Sequence, residues 1–276
     1  MKKIITIIIT VIITVIFSTQ LLAQGPWTRD KGKAYLQLGF TGLYYDKVQY
    51  NGSEKQLSNQ VSDLTIQLYG EYGIGKRLEF QLVIPFKSVS YESKIGAPPE
   101  NLTGVSNVSV GLKYKLYDQK WKFSTGLLFS ANSISKDNQI GLSSGFNAAT
   151  VFPYFVVGSS SNKWFYYANI GYGYMNNDYS DYIKSSFEIG YNVITNGHIM
   201  LDFESRSIVS KEVGFENDVF QWASYYDRQT YNAIGIKGNY EFKKDKLGVN
   251  IALIGAATID NAPLAPTFNF GIYSKF

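Results

Sequence analysis

The chain has 276 residues, of which 45 % are apolar, 16 % aromatic and 17 % charged, with no cysteine. The apolar content excludes a disordered chain. The lack of cysteine excludes a disulfide scaffold, a cysteine-ligated zinc site and thiol catalysis. A formal net charge of +4 is too weak to indicate a nucleic-acid partner.

Residues 1–23 are predicted to be a secretory signal peptide. Lys2 and Lys3 precede an apolar run from Ile4 to Phe17, and Ala23 is a small residue at the expected cleavage point. The run is shorter than the roughly 20 residues that a membrane-spanning helix needs, which favours cleavage over a retained anchor. Residues 24–276 are then predicted to be exported as one domain.

The exported part carries twelve segments in which apolar and polar residues alternate with period two. Leu78 and Phe80, for example, flank Glu79, which is typical of a strand with one apolar face. The segments are Ala34–Tyr44, Asp63–Tyr72, Leu78–Phe86, Asn107–Tyr117, Trp121–Ala131, Phe146–Val157, Trp164–Met175, Tyr182–Val193, Ile199–Val209, Gln229–Phe242, Leu247–Ile259 and Thr267–Phe276. They are longer than most globular strands and suit tilted strands that cross a bilayer.

The connections between these segments alternate between long and short. The long set is Asp46–Gln60, Tyr91–Thr103, Asn132–Gly145, Asn176–Asp181, Lys211–Arg228 and Asp260–Pro266. Outer-membrane barrels have short periplasmic turns and longer external loops. We therefore predict an all-β fold, a monomeric transmembrane antiparallel up-and-down β-barrel of about 12 strands in a Gram-negative outer membrane. A soluble barrel with an aromatic core is the alternative.

The last predicted strand ends the chain on Phe276, with Phe268 and Phe270 on the same face. It resembles the C-terminal strand by which the assembly machinery recognises outer-membrane barrels. The expected partners are that machinery, the outer-membrane lipids and a small solute.

The hairpin from Gln67 to Phe86, QLYGEYGIGKRLEFQLVIPF, resembles a hairpin of the MetA-pathway phenol-degradation transporter family. That family is thought to be related to the channels for fatty acids and aromatic hydrocarbons, so the resemblance implies a barrel and transport. The chain departs from those channels at its start. Only Gln24 to Gly32 precede the first predicted strand, too few residues for the N-terminal plug that those channels carry.

Charged residues on the polar faces of the strands are predicted to lie in the lumen. We expect the turn after Val193 to place Val193 opposite Ile199. Glu188 then lies opposite Glu204, and Arg206 bridges the two carboxylates. The candidate lumen or constriction residues are Lys113, Lys115, Lys184, Glu188, Asp202, Glu204, Arg206 and Lys237. They either rigidify a narrow lumen through hydrogen bonds or form a charged constriction that selects solutes.

Two smaller predictions concern the ends of the barrel, the first of them the periplasmic end. Glu71 and Glu79 are expected near Lys76 and Arg77 at the rim. Aromatic residues near strand ends are expected to form girdles at the membrane interface; they are Tyr44, Tyr45, Tyr114, Tyr117, Trp121, Trp164, Tyr166, Tyr225, Tyr226 and Tyr240.

The sequence favours a narrow, porin-like channel or transporter for small or hydrophobic solutes, with no enzyme activity and no cofactor or metal site. The only histidine, His198, lies in a predicted periplasmic turn, and no serine can be assigned to it. One alternative is a non-channel structural or adhesive barrel with partner-binding loops, such as the aromatic loop 211–228. A second is an outer-membrane lipid-modifying enzyme.

Overall fold

A computed structural model describes residues 25–93, 100–137, 139–209 and 228–276. The predicted signal peptide and almost all of the predicted loop 211–228 lie outside the described residues. The described part forms twelve long strands: β1 Ala34–Tyr50, β2 Ser53–Gly73, β3 Leu78–Ser93, β4 Ser109–Asp118, β5 Trp121–Ser130, β6 Thr150–Ser160, β7 Trp164–Met175, β8 Tyr182–Ile194, β9 Gly197–Ile208, β10 Thr230–Lys243, β11 Leu247–Asp260 and β12 Thr267–Lys275.

The twelve strands form one closed antiparallel barrel. Each strand pairs with the next along the chain, and β1 pairs with both β2 and β12. Leu38 lies opposite Leu68 on β2 and opposite Ile272 on β12. Closure gives each of the twelve long strands a paired neighbour on both sides, and a hydrocarbon environment does not tolerate an open sheet edge. The predicted fold class and strand number are confirmed.

The two faces of the barrel differ in polarity because the side chains alternate across each strand. The outward side chains of Leu38 and Ile66 are each 52 % exposed, whereas the inward side chains of Gln37 and Glu79 are 5 % and 0 % exposed. The outside is therefore apolar and the inside polar. No helix in the described ranges is long and apolar enough to cross a membrane.

The start of β1, the end of β12 and the short turns lie at one end of the barrel, which we name the periplasmic end; the other is the external end. Tyr114, Tyr117, Trp121 and Trp164 are exposed around the periplasmic end, as predicted for a girdle. Tyr45 was expected in the external girdle, but it is buried inside the barrel. Tyr225 and Tyr226 lie outside the described residues.

The predicted long loop 46–60 is wrong. Strands β1 and β2 extend through residues 46–60 and meet in a two-residue turn at Asn51 and Gly52, whose φ angles are 46° and 73°. An Asn-Gly pair with positive φ at both positions is the favoured hairpin turn. The segment Glu100–Val105 likewise extends the sheet by pairing with the outer part of β3.

The extended strands and the loop after β5 form a small apolar core at the external end. Leu43, Val61 and Val89 come from β1, β2 and β3, and Leu142 comes from the loop. All four side chains are at most 2 % exposed. Part of the external loop region therefore folds inward.

Candidate functional site: the barrel lumen

A charged cluster lies on the inner wall of β8, β9 and β10. Glu188 on β8 is directly opposite Asp202 on β9. Lys237 on β10 places its Nζ 2.9 Å from Glu188 Oε2 and 3.1 Å from Asp202 Oδ1. One ammonium therefore holds the carboxylates of two neighbouring strands. Removing it would leave two nearly buried carboxylates side by side.

A second cluster lies one step closer to the external end. Lys184 Nζ lies 2.9 Å from Glu204 Oε1. The hydroxyl of Tyr231 donates to the same oxygen over 2.6 Å. Glu204 is thus fixed by a cation from β8 and a hydroxyl from β10, and its carboxylate is only 6 % exposed.

The predicted register between β8 and β9 is wrong by two residues. Glu188 lies opposite Asp202 and not opposite Glu204. The turn is tighter than expected because Ile194 already pairs with Gly197, and a bulge after Asn192 removes Val193 from the regular pairing.

Arg206 does not bridge the carboxylates, so that prediction is also wrong. Its guanidinium carbon lies 3.9 Å from the ring centre of Tyr182 and 5.4 Å from that of Phe146. One terminal nitrogen donates to the sulfur of Met175 over 3.8 Å, and a thioether is a weak acceptor. The buried Nε has no hydrogen-bond partner among the described residues.

Lys113 belongs to a separate cluster near the periplasmic end. Its Nζ lies 2.9 Å from Glu79 Oε1 and 3.8 Å from Glu71 Oε1. Arg29 completes the cluster, donating from its backbone nitrogen to Glu79 and from Nε to Glu71, both over 2.7 Å. The two glutamates, which were expected near Lys76 and Arg77, are therefore neutralised by Lys113 and Arg29 from inside the lumen.

Arg29 reaches this position because the N-terminal segment, residues Gly25–Lys33, crosses the lumen. The carbonyl of Pro26 accepts a hydrogen bond from Ser124 on β5 over 2.6 Å. The ring of Trp27 packs edge-to-face against Tyr167 on β7, with ring centres 6.1 Å apart. The segment was expected to be too short for a plug, but it contacts opposite walls of the periplasmic end.

Lys115 lies at the periplasmic rim, away from the other candidates. Its Nζ is 2.7 Å from Asp118 Oδ2, and Lys122 pairs with the other oxygen of the same carboxylate. The candidate lysines therefore do not form a wall of unpaired positive charge, because Lys113, Lys115, Lys184 and Lys237 are each paired with a carboxylate.

His198 is the first inward residue of β9, since that strand already begins at Gly197. It is half-buried, its Nδ1 lies 2.6 Å from Asn192 Oδ1, and its ring packs edge-to-face against Phe165. The expected position in a solvated turn is therefore wrong. The described residues contain no group of three His, Asp or Glu side chains that could hold a metal ion.

The family follows from a comparison over most of the chain. The family model described as "Putative MetA-pathway of phenol degradation" matches residues 33–257. The chain belongs to this family. The match covers β1 through most of β11, so the resemblance seen in one hairpin is confirmed for nearly the whole barrel. No curated protein matches this MetA-pathway family member.

Solved structures share the fold of this family member. The COG4313 outer membrane channel from Pseudomonas putida F1 has a TM-score of 0.73 and 14 % identity, over 94 % of this chain and 100 % of that chain. The TodX deltaS2S3 mutant monoaromatic hydrocarbon channel has a TM-score of 0.50 and 10 % identity, over 95 % of both chains. The KdgM porin has a TM-score of 0.50 and 8 % identity, over 87 % of this chain and 99 % of that chain. At these identities the similarity shows the barrel fold alone.

Proposed function

We propose that the chain is an outer-membrane channel through which small or hydrophobic solutes pass without an energy source. One observation carries this proposal: the barrel is closed, with an apolar outer face and an inner face of paired charges such as Lys237 with Glu188. A polar interior can solvate a passing solute, and twelve strands enclose more space than the interior of an eight-stranded barrel, which side chains fill.

The passage is narrow. Eight-stranded barrels are filled by side chains and barrels of 16 to 18 strands hold wide aqueous pores, so twelve strands fall between them. The hydroxyl of Tyr154 on β6 donates to Gln81 on β3 over 2.9 Å, which links two strands that are not neighbours. The N-terminal segment narrows the periplasmic end further. Small solutes fit this geometry better than folded or bulky ones.

The family and the names of the structural matches support the same function. The family is described by a pathway of phenol degradation, and the matched structures include a monoaromatic hydrocarbon channel and a porin. The proposal includes export by the signal peptide and insertion in a Gram-negative outer membrane. It also includes recognition of the C-terminal strand by the assembly machinery.

The proposed channel is not an enzyme. The hydrolytic alternative would use His198 as a base, but that ring is directed toward Asn192 and Phe165 on the inner wall. A base in this position cannot reach a lipid from the outer face of the barrel. Incubation of the purified barrel with labelled phospholipid should release no labelled product.

Liposome swelling tests the channel directly. The refolded barrel is placed in liposomes, which are diluted into isotonic solutions of uncharged sugars of increasing size. Swelling should be fastest for the smallest sugar and fall steeply with size, because the lumen is narrow. Swelling no faster than that of protein-free liposomes for every solute would contradict the proposal and favour a non-channel barrel.

A further inference from the structure

Three aromatic side chains form a row on the inner wall, which we name the aromatic row: Tyr182 on β8, and Phe152 and Tyr154 on β6. The rings of Tyr182 and Phe152 have centres 6.0 Å apart and planes inclined by 21°. Those of Phe152 and Tyr154 are 6.1 Å apart and inclined by 25°. Near-parallel rings at this spacing offer a continuous aromatic strip, and none of the three is fully buried.

Inward glycines make room for these rings. A Cβ added to Gly173 would lie 2.2 Å from the Tyr182 ring, and one added to Gly171 would lie 2.3 Å from the Phe152 ring. Carbon atoms cannot approach this closely, so each ring extends along the wall into space that another side chain would fill. Gly126 accommodates Tyr154 in the same way. The rings therefore follow the wall of the lumen.

Arg206 lies at the external end of this row. Its guanidinium covers the Tyr182 ring at 3.9 Å, which leaves the edge of the planar group for hydrogen bonding. Its only described acceptor is the Met175 sulfur, and its Nε has no partner among the described residues. The nearby carboxylate of Glu204 is already held by Lys184. The site therefore contains a cation with unused directional donors beside an aromatic strip.

We propose that Arg206 and the aromatic row bind planar aromatic anions, such as aromatic carboxylates, on their way through the lumen. The carboxylate accepts hydrogen bonds from the edge of the Arg206 guanidinium. The ring of the solute then stacks on Phe152, whose ring lies next to that of Tyr182 and deeper in the barrel. The inference rests on the proposed channel function and adds to it a chemical class of solute and a binding site.

The geometry requires both features of the ligand. An aliphatic anion pairs with the guanidinium but gains no stacking on the row. A neutral aromatic alcohol stacks but leaves the Arg206 donors without a charged acceptor. Preference for the aromatic carboxylate over both relatives is therefore the signature of this site, because a general attraction of anions would not distinguish an aromatic from a saturated ring.

Equilibrium dialysis of labelled benzoate against the detergent-solubilised barrel tests the site without requiring conduction. Unlabelled benzoate should displace the label at lower concentration than cyclohexanecarboxylate or benzyl alcohol. Arg206→Gln should raise the dissociation constant about tenfold, as expected for the loss of a charge-assisted hydrogen bond. Phe152→Leu should also weaken benzoate binding, and it should reduce the preference for benzoate over cyclohexanecarboxylate.

Two matched variants control for charge and for general packing. Arg77→Gln removes the same charge from an exposed periplasmic turn, and Phe155→Leu makes the same truncation on the outward face of β6. Both should bind benzoate as the unmodified barrel does. Arg206→Lys keeps the charge but not the planar donor edge, so this variant should bind benzoate weakly. It serves as the test of Arg206 if Arg206→Gln does not fold.

Several outcomes would overturn the inference. The inference fails if benzoate does not bind, or if it binds no better than cyclohexanecarboxylate. It also fails if benzoate binding is unchanged in Arg206→Lys and Phe152→Leu. If the same preparation still makes liposomes swell, the channel proposal remains while the aromatic site is refuted. If benzoate binds as expected but liposomes never swell, the channel proposal fails and the site remains as a binding site.

Discussion

The Nε of Arg29 lies 2.7 Å from Oε2 of Glu71, and this contact joins the N-terminal segment to the inner wall of β2. The Arg29 side chain is 31 % exposed, whereas that of Glu71 is 1 % exposed. Burial lowers the pKa of Arg29 and the neighbouring Glu71 carboxylate raises it, with a net rise, so the guanidinium stays charged at any physiological pH. The segment is therefore held across the periplasmic end by a permanent charge.

Arg29→Gln should loosen the N-terminal segment and raise single-channel conductance. The variant loses the ion pair with Glu71, while the backbone bond to Glu79 remains. A hydrogen bond between charged groups stabilises by about 1.5–3 kcal/mol, so the segment should leave the lumen part of the time. Planar-bilayer recordings should show larger or more frequent open levels.

Lys31→Gln is the control for this variant, because Lys31 lies in the same segment but is exposed. It should conduct like the unmodified barrel. Equal conductance of Arg29→Gln and the unmodified barrel would show that the segment does not restrict the passage.

Lys237→Gln should make the channel more selective for cations. The substitution leaves Glu188 and Asp202 without their shared ammonium. Two unit charges about 4 Å apart interact by about 4 kcal/mol at an effective dielectric constant of about 20. If screening by water and salt leaves about 1 kcal/mol of this, the cation-to-anion permeability ratio rises about fivefold.

The reversal potential in a KCl gradient measures this ratio. Lys243→Gln removes the same charge at the exposed periplasmic end of the same strand and should shift the potential much less. A shift of equal size in both variants would place the selectivity outside the cluster around Lys237.

Gly171→Ala should destabilise the barrel by about 1–3 kcal/mol, the usual penalty for overpacking. The added Cβ would lie 2.3 Å from the Phe152 ring. Gly39→Ala is the control, because its nearest neighbour would be at 3.5 Å, an ordinary contact. Urea unfolding in detergent micelles gives the difference in the free energy of unfolding.

A second substitution tests whether the clash with the Phe152 ring causes the loss of stability. Phe152→Leu in the Gly171→Ala background removes the clashing ring, so the double variant should regain most of the lost stability. A double variant whose losses simply add would show that the two positions are not coupled.

Removal of Phe276 should reduce assembly in cells more than stability after refolding. The Phe276 side chain is 66 % exposed on the outer face, and its backbone forms two hydrogen bonds with Ala34. Little packing is therefore lost in the folded barrel, whereas the expected recognition signal is removed. The measurement compares the amount of barrel in outer-membrane fractions with the urea midpoint of refolded protein. An unchanged membrane level would contradict recognition through this residue.

The strands could be predicted from the sequence because lipid and lumen impose opposite polarity on alternate residues. All twelve predicted segments overlap the observed strands. The external extension of β1 and β2 was missed, although Asn51–Gly52 is a recognised turn signal. Beyond the membrane, residues no longer need to alternate in polarity. The sequence of residues 46–60 therefore lacks the strand pattern and resembles that of a loop.

The site was less predictable than the fold. Alternation placed Glu188, Asp202 and Lys237 on the inner face of the barrel, where the structure has them. The pairing of Glu188 with Asp202 depended on the bulge beside Val193, which shifts the register without a clear sequence signal. The contacts of Arg29 and Trp27 were missed altogether. Such contacts depend on how a short segment crosses the closed barrel, and local periodicity carries no information about that path.

Thiol modification of two cysteine variants tests whether solutes pass through the lumen, and it is specific because the native chain contains no cysteine. Ser186 faces the lumen between the two charged clusters, and its neighbour Ser185 faces the outside of the same strand. A membrane-impermeant methanethiosulfonate reagent should lower the single-channel current of Ser186→Cys and leave that of Ser185→Cys unchanged. Conductance that is absent in both variants, or insensitive to modification at Ser186→Cys, would contradict a solute path through the barrel.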